Sequence, residues 1–96
     1  MSKPARTVRA VIRGRVQGVG FRWFVEDWAN RLRLRGYVRN LHDGRVEAYA
    51  VGDPDALEIF KGRLQEGPPS AQVTGVEESE EPVNTGYRDF RMEGSW

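Results

Sequence analysis

The sequence predicts an α+β fold in which two helices cover one face of a β-sheet. Some segments have alternating hydrophobic residues, which is typical of strands, and others have hydrophobic residues every three to four positions, which is typical of helices. Along the chain these segments follow the order strand, helix, strand, strand, helix, strand. An Asp-Gly pair joins the second and third strands, and glycine or proline follows both helices. The 96 residues, 39% of them hydrophobic, suffice for one core, so we expect a single domain over residues 1–96 with a polar tail at residues 1–6.

The first strand and the first helix differ in their hydrophobic period. Alternation from Thr7 to Arg15 predicts a half-buried strand. From Phe21 the period becomes helical, and the predicted apolar stripe consists of Phe21, Val25, Trp28 and Leu32. We expect this helix to end near Gly36, because glycine readily takes the left-handed conformation that stops a helix.

The middle of the chain contains a hairpin followed by a second helix. The segments "YVRNL" (37–41) and "RVEAYAV" (45–51) both alternate, and the intervening His-Asp-Gly predicts a tight turn. Asp53 and Pro54 then supply a helix cap and a proline for the first helical turn. The apolar stripe of this helix is Leu57, Phe60 and Leu64, and "GPP" (67–69) ends it.

Two weaker strand patterns complete the chain. They are "AQVTGVEESEE" (71–81) and "YRDFRME" (87–93), separated by the turn-rich "PVNTG" (82–86). The acidic run from Glu77 to Glu81 is typical of a solvated sheet edge that discourages edge-to-edge association. The element order as a whole predicts a ferredoxin-like βαββαβ sandwich, with an antiparallel sheet of four or five strands and both helices on one face.

The segment "GRVQGVGFRWF" (14–24) places three glycines and an arginine where the first strand meets the first helix. Such a joint favours anions, because the first helical N–H groups lack intrahelical partners and carry the positive end of the helix dipole. Gly18 and Gly20 can adopt positive φ and turn N–H groups inward, and the planar guanidinium of Arg22 matches pairs of phosphate oxygens. A tight turn alone would also explain the glycines, so the joint by itself leaves both interpretations open.

Composition excludes several kinds of site. There is no Cys, so thiolate nucleophiles, disulfides and Cys-based metal sites are absent. No Gly-Lys-Ser/Thr occurs, which rules out a Walker P-loop, and residues 18–23 do not supply the third glycine of a dinucleotide fingerprint. No apolar run of membrane-spanning length occurs and the N-terminus has no apolar block, so we expect a cytoplasmic protein without membrane contact.

Charge is distributed unevenly along the chain. Residues 1–45 carry a formal charge of +8 and residues 46–96 carry −7. Such a division fits either an anionic partner for the basic part or two oppositely charged surfaces of one fold.

Two segments resemble the signature blocks of the acylphosphatase family. "GRVQGVGFR" (14–22) is similar throughout to the first block, and "GYVRNLHDGRVEAYAVG" (36–52) is similar to the second, with its Val-Arg-Asn and its three spaced glycines. Chain length and predicted element order also fit this family of ferredoxin-like hydrolases, so the resemblance covers essentially the whole sequence.

The resemblance implies hydrolysis of the carboxyl–phosphate bond of acyl phosphates to a carboxylate and inorganic phosphate, by a monomer without metal or other cofactor. It assigns the phosphoryl group to Arg22 and the loop residues Val16, Gln17, Gly18, Val19, Gly20 and Phe21, and the positioning of the attacking water to Asn40. Phosphoryl transfer needs mainly positioning and charge stabilisation, which suits Arg22 and oriented N–H groups. A carboxylate leaving group is a weak base, so the reaction needs no general acid.

Other chemically active residues have simpler interpretations. His42 precedes the Asp-Gly turn without a nucleophile or a second histidine, so we assign it no catalytic or zinc-binding role. Glu26 and Asp27 are adjacent in a helix and point about 100° apart, which predicts a solvated face rather than an acid–base pair. The aromatic residues Trp23, Phe24 and Trp28 are expected in the core.

Two further functions fit parts of the sequence. The same loop could serve a non-catalytic regulatory domain that binds a small anion. A basic first half on a ferredoxin-like sheet also suits an RNA-binding module, although "RGYVRN" (35–40) lacks the second stacking aromatic of the RNA-recognition signature, and we therefore expect no nucleic-acid partner. Hydrolysis of an acyl phosphate that requires both Arg22 and Asn40 would separate the enzyme from either alternative.

Overall fold

The fold consists of two helices and five strands. The computed structural model describes residues 3–84 and 86–94, so Met1 and Ser2 of the predicted tail, Thr85 of the predicted turn, Ser95 and Trp96 lie outside the described residues. In chain order the elements are β1 (Arg6–Arg15), α1 (Phe21–Arg31), β2 (Arg35–Asn40), β3 (Val46–Gly52), α2 (Pro54–Glu66), β4 (Gln72–Glu81) and β5 (Phe90–Met92). This order confirms the predicted βαββαβ arrangement with one additional strand.

The five strands form one sheet in the order β4-β1-β3-β2-β5. The four long strands pair antiparallel, as predicted. The fifth corrects the prediction of a purely antiparallel sheet, because β5 pairs parallel to the free edge of β2. The chain reaches that edge from β4 at the opposite edge and reverses direction on the way, which sets β5 parallel to β2.

The main core lies between the helices and one face of the sheet. Its sheet side includes the predicted Val8, Ala10 and Ile12 of β1, and its helix side includes Phe21 and Val25 of α1 and Leu57, Phe60 and Leu64 of α2. Asp53 caps α2 as predicted, since its carboxylate accepts the Asp55 amide at 2.7 Å. Both helices therefore cover the same face, and the N-terminus of α1 is held rigidly against the sheet.

The other face of the sheet carries a smaller cluster built around tyrosines. Tyr37 and Tyr49 stack with ring centroids 5.5 Å apart, and Tyr87 packs against both. The buried carboxylate of Glu47 accepts hydrogen bonds from Tyr37, Arg9 and Arg39, which satisfies its charge. Burial, together with the charge of Glu47, raises the pKa of Tyr37 to about 12.

Two details of the first helix differ from the prediction. α1 ends at Arg31, and Arg33 takes the left-handed conformation (φ 58°) that reverses the chain. Gly36, the predicted stop, instead lies inside β2. The reversal is stabilised without glycine by the amides of Leu32, Arg33 and Leu34, which donate to carbonyls of the last turn of α1.

The acidic run of β4 lies at a sheet edge, as predicted. Glu77 and Glu80 are exposed, and they pair with Arg13 (3.7 Å) and Arg6 (3.4 Å) of the neighbouring β1. None of the helices among the described residues has the length and hydropathy needed to span a membrane.

Candidate active site

The loop between β1 and α1 alternates the sign of φ along its backbone. Gly18 and Gly20 have φ of 71° and 76°, whereas Val19 between them does not take a positive φ. No other atom lies within 4 Å of the position that a Cβ would occupy on either glycine, so the space above both is open. Such alternation turns successive N–H groups toward one side and forms a concave site for an anion.

The start of α1 adds further donors. The first amide that donates within the helix is that of Phe24, to the carbonyl of Gly20 at 3.1 Å. The amides of Phe21, Arg22 and Trp23 therefore precede the helical hydrogen-bond ladder. Gly20 has no side chain to cap the helix, and the first turn contains no acidic residue that would compete with a bound anion.

Two buried side chains and the side-chain amide of Gln17 fix the position of the loop. Val16 and Phe21, at its two ends, are each only 1% exposed. Gln17 Nε2 donates to the carbonyl oxygens of Leu41 (2.8 Å) and Arg45 (3.0 Å), which flank the turn between β2 and β3. The loop is thus attached both to the core and to the hairpin whose first strand ends in Asn40.

The C-terminal segment holds Arg22. Its Nη1 donates to the carbonyl oxygen of Glu93 at 2.7 Å. One residue earlier, the Met92 amide donates to the carboxylate of Glu26 at 3.2 Å. Glu26 is therefore only half-buried and has a structural partner, which the prediction of a solvated face did not include, whereas Asp27 is exposed and pairs with Arg31.

Asn40 is the last residue of β2 and is only 9% exposed. It faces a cavity of about 190 Å³, which we call the cradle, whose lining residues are Val16, Gly18, Gly20, Phe21, Arg22, Trp23 and Asn40. The fold therefore brings Asn40 next to the glycine loop, although they are 20 residues apart in sequence. Of the predicted phosphate-binding residues, Gln17 and Val19 do not line the cradle.

Three larger clefts offer poorer surroundings for an anion. One of about 260 Å³ beside β5 is lined by Arg88 and Arg91 but equally by Asp89 and Glu93. A cleft of about 300 Å³ between α2 and the paired strands β1 and β4 is lined by more carboxylates than cations. Another, of about 500 Å³, lies over the tyrosine cluster, where Arg9 is already paired with two glutamates. In the part of the chain that the structure describes, no three His, Cys, Asp or Glu side chains form a metal-binding group.

Trp23 and His42 are both exposed. The prediction that Trp23 belongs to the core is wrong, because its side chain is 69% exposed and it lines the cradle. The exposure of Trp23 could have been predicted from the helical period. Trp23 follows Phe21 by two positions and therefore lies about 200° around the helix from this residue of the buried stripe. Phe24 and Trp28 are half-buried against the core, and His42 lies exposed in the hairpin turn.

Comparisons with known proteins identify the family of this chain. A family model described as Acylphosphatase matches residues 8–92. An acylphosphatase of Koribacter versatilis is 45% identical over 96 residues, covering 100% of this chain and 87% of that protein. One of Solibacter usitatus is 49% identical over 89 residues, covering 93% and 92%. The crystal structure of acylphosphatase from Bacillus subtilis superimposes with a TM-score of 0.88 at 39% identity, covering 92% of this chain and 98% of that one. This chain therefore belongs to the acylphosphatase family.

Proposed function

We propose that this chain hydrolyses acyl phosphates to a carboxylate and inorganic phosphate, with the phosphoryl group bound in the cradle. One observation carries the proposal: the glycine loop, Arg22 and Asn40 all line the same cavity. The loop and Arg22 offer N–H donors to a phosphoryl group, and Asn40 offers an amide that can hold a water molecule. A turn-forming role of the glycines would require neither of the two side chains.

In this mechanism the loop amides and Arg22 share the oxygens of the transferring phosphoryl group. The bond to the Glu93 carbonyl occupies one of the five N–H groups of the guanidinium and fixes its orientation. The remaining N–H groups are suited to paired phosphoryl oxygens. Because these donors are positioned before the substrate binds, they stabilise the charge of the transition state with little reorganisation.

Asn40 orients the attacking water. Its side chain carries both a carbonyl acceptor and amide donors, so it can hold water without changing its protonation state. The leaving carboxylate is a weak base and departs without a proton donor. A phosphoryl oxygen of the substrate accepts the proton of the water, so the step needs no titratable protein side chain.

Hydrolysis of benzoyl phosphate in excess EDTA tests the proposal. We expect the wild-type chain to be active, and Arg22→Ala to lower kcat/KM by roughly 10³ to 10⁵, as for other arginines that act on transferring phosphoryl groups. Asn40→Ala should lower kcat by about 10² or more, since it removes the group that positions the nucleophile. The matched control is Arg31→Ala, at the opposite end of the same helix and exposed, which should change the rate by less than about threefold.

Two results would contradict the proposal. Loss of activity in EDTA that returns with a divalent metal would disprove metal-independent attack. Binding of phosphate to the folded chain without any hydrolysis would favour the anion-binding regulatory domain.

An RNA-binding role has little support in the described residues. On the open sheet face, where such a module would stack bases, Tyr37 and Tyr49 are 8% and 7% exposed. The guanidinium groups of Arg39 and Arg9 lie over these two rings, at 5.3 and 5.5 Å from the centroids, and both pair with Glu47. We propose instead that the chain acts on a small substrate, which suits a cavity of about 190 Å³. We propose further that it is a cytoplasmic monomer.

A further inference from the structure

We infer that Trp23 forms the subsite for the acyl group and gives this enzyme a preference for acyl phosphates with flat or bulky apolar acyl groups. The inference rests on the proposed function and extends it, because it names the part of the substrate that lies outside the cradle.

The exposure of Trp23 needs an explanation. Among the described residues, three large hydrophobic side chains are strongly exposed: Trp23 (69%), Ile59 (49%) and Val83 (44%). Trp23 is the largest of them and the one that lines the cradle. Leaving an indole in water forgoes the free energy of burying its large apolar area, so an exposed tryptophan beside a binding cavity points to a ligand that covers it.

Trp28 provides an internal comparison. Its ring lies under the guanidinium groups of Arg63 (4.5 Å) and Arg31 (5.3 Å), so its surface is already covered. Within residues 3–84 and 86–94, neither a guanidinium nor another aromatic ring packs on Trp23 in this way. Its ring face is therefore available to a ligand.

The position of Trp23 in the helix determines where it reaches. It is the third residue of α1, and helical side chains lean toward the N-terminus of their own helix, which here borders the cradle. Arg22 and the loop amides hold the phosphoryl end of the substrate inside the cavity. The acyl end must then extend outward past the rim, where the indole lies.

The chemistry of an indole defines the substrate class. Its face interacts favourably with aromatic rings and with apolar chains, through dispersion and removal of apolar surface from water. An acetyl group offers one methyl to this surface, whereas a benzoyl group offers a whole ring. Trp23 therefore contributes to selection among acyl groups and leaves the phosphoryl chemistry to the other residues of the cradle.

The experiment compares kcat/KM for benzoyl phosphate and acetyl phosphate in the wild type, Trp23→Ala, Trp23→Phe and Ile59→Ala. In Trp23→Ala we expect kcat/KM for benzoyl phosphate to fall about three- to tenfold further than that for acetyl phosphate. Trp23→Phe should recover most of the loss. Ile59→Ala, which removes an exposed apolar side chain outside the cradle, should leave the ratio unchanged.

Inhibition by benzoylphosphonate and acetylphosphonate gives a second measurement that does not depend on turnover. Selective weakening of the benzoyl compound in Trp23→Ala would support the inference. An equal change for both substrates, or no change for either, would overturn it while leaving hydrolysis intact. A folded wild type that hydrolyses neither substrate would instead overturn the proposed function, and the acyl subsite with it.

Discussion

Gln17 is predicted to couple the two halves of the site, although its side chain does not line the cradle. Its Nε2 bonds the carbonyls of Leu41 and Arg45 and so ties the glycine loop to the hairpin that carries Asn40. Both carbonyls also accept backbone amides: that of Leu41 accepts from Gly44 at 3.2 Å, and that of Arg45 accepts from Leu41 at 2.8 Å. Loss of Gln17 would therefore leave neither acceptor without a hydrogen bond.

These hydrogen bonds determine how much the loss of the Gln17 side chain should lower the free energy of unfolding. Two neutral hydrogen bonds contribute about 0.5 to 1.5 kcal/mol each, without an added penalty for stranded acceptors, so Gln17→Leu should lower the free energy of unfolding by about 1 to 3 kcal/mol. Gln17→Glu should cost more, because it turns a carboxylate oxygen toward two carbonyl oxygens. Displacement of the loop relative to Asn40 should lower kcat for benzoyl phosphate by roughly tenfold to a hundredfold in both variants.

Urea denaturation and steady-state kinetics on the same preparations measure both effects. The control is Ser70→Ala, because the exposed Ser70 hydroxyl also bonds the loop, at the carbonyl of Val19 (2.9 Å), but reaches no part of the hairpin. It should cost less than about 0.5 kcal/mol and leave kcat unchanged. If Gln17→Glu unfolds at the wild-type urea concentration and keeps full kcat, the coupling argument is wrong.

Four further predictions concern the scaffold around the site. Gly14→Ala should destabilise the fold by about 2 kcal/mol or more in thermal unfolding, because φ is 125° there and a Cβ would lie 2.1 Å from the carbonyl oxygen of Gln72. Gly62→Ala, in an open position of α2, should instead stabilise it by about 0.5 to 1 kcal/mol. Burial raises the pKa of Tyr37 from 10.0 to about 12, so the folded state holds a proton that the unfolded chain has released. The contribution of Tyr37 to the free energy of unfolding should therefore be constant below pH 10 and fall by about 2 to 3 kcal/mol as the pH rises to 12, so alkaline denaturation of Tyr37→Phe should show a smaller fall. Glu26→Ala should lower kcat/KM for benzoyl phosphate by about three- to tenfold through the segment that holds Arg22, whereas Glu26→Gln, which keeps an acceptor, should retain most activity; equal losses in both variants would contradict this account.

The elements that the sequence predicts well are those encoded by local patterns. The change of period near Phe21, the turn at Gly44 and the cap at Asp53 each depend on residues a few positions apart. The fifth strand was harder to place because β5 has three residues, of which Phe90 alone is buried. Its parallel pairing depends on the free edge of β2, which no local pattern specifies.

The residues of the candidate site also differ in how far local sequence predicts their roles. The glycine loop and Arg22 form one short segment, so their joint role is readable from sequence. Gln17 bonds residues 24 and 28 positions away, and Glu26 bonds one 66 positions away. Contacts over such distances follow from tertiary structure, so neither the side-chain bonds of Gln17 nor the partial burial of Glu26 could be predicted from local sequence.

The uneven charge of the sequence is largely balanced within the fold. Along the paired strands, Arg9 of β1 contacts Glu81 of β4 at 2.6 Å, and Arg6 and Arg13 pair with acidic residues of the same strand. Exposed pairs of this kind contribute about 0 to 1 kcal/mol each, so their main consequence is electrostatic rather than stabilising. They neutralise the basic first half where it meets the acidic second half. The attraction for a phosphoryl group must then come from local sources, namely Arg22 and the oriented amides at the start of α1, where no acidic residue of the first turn opposes them.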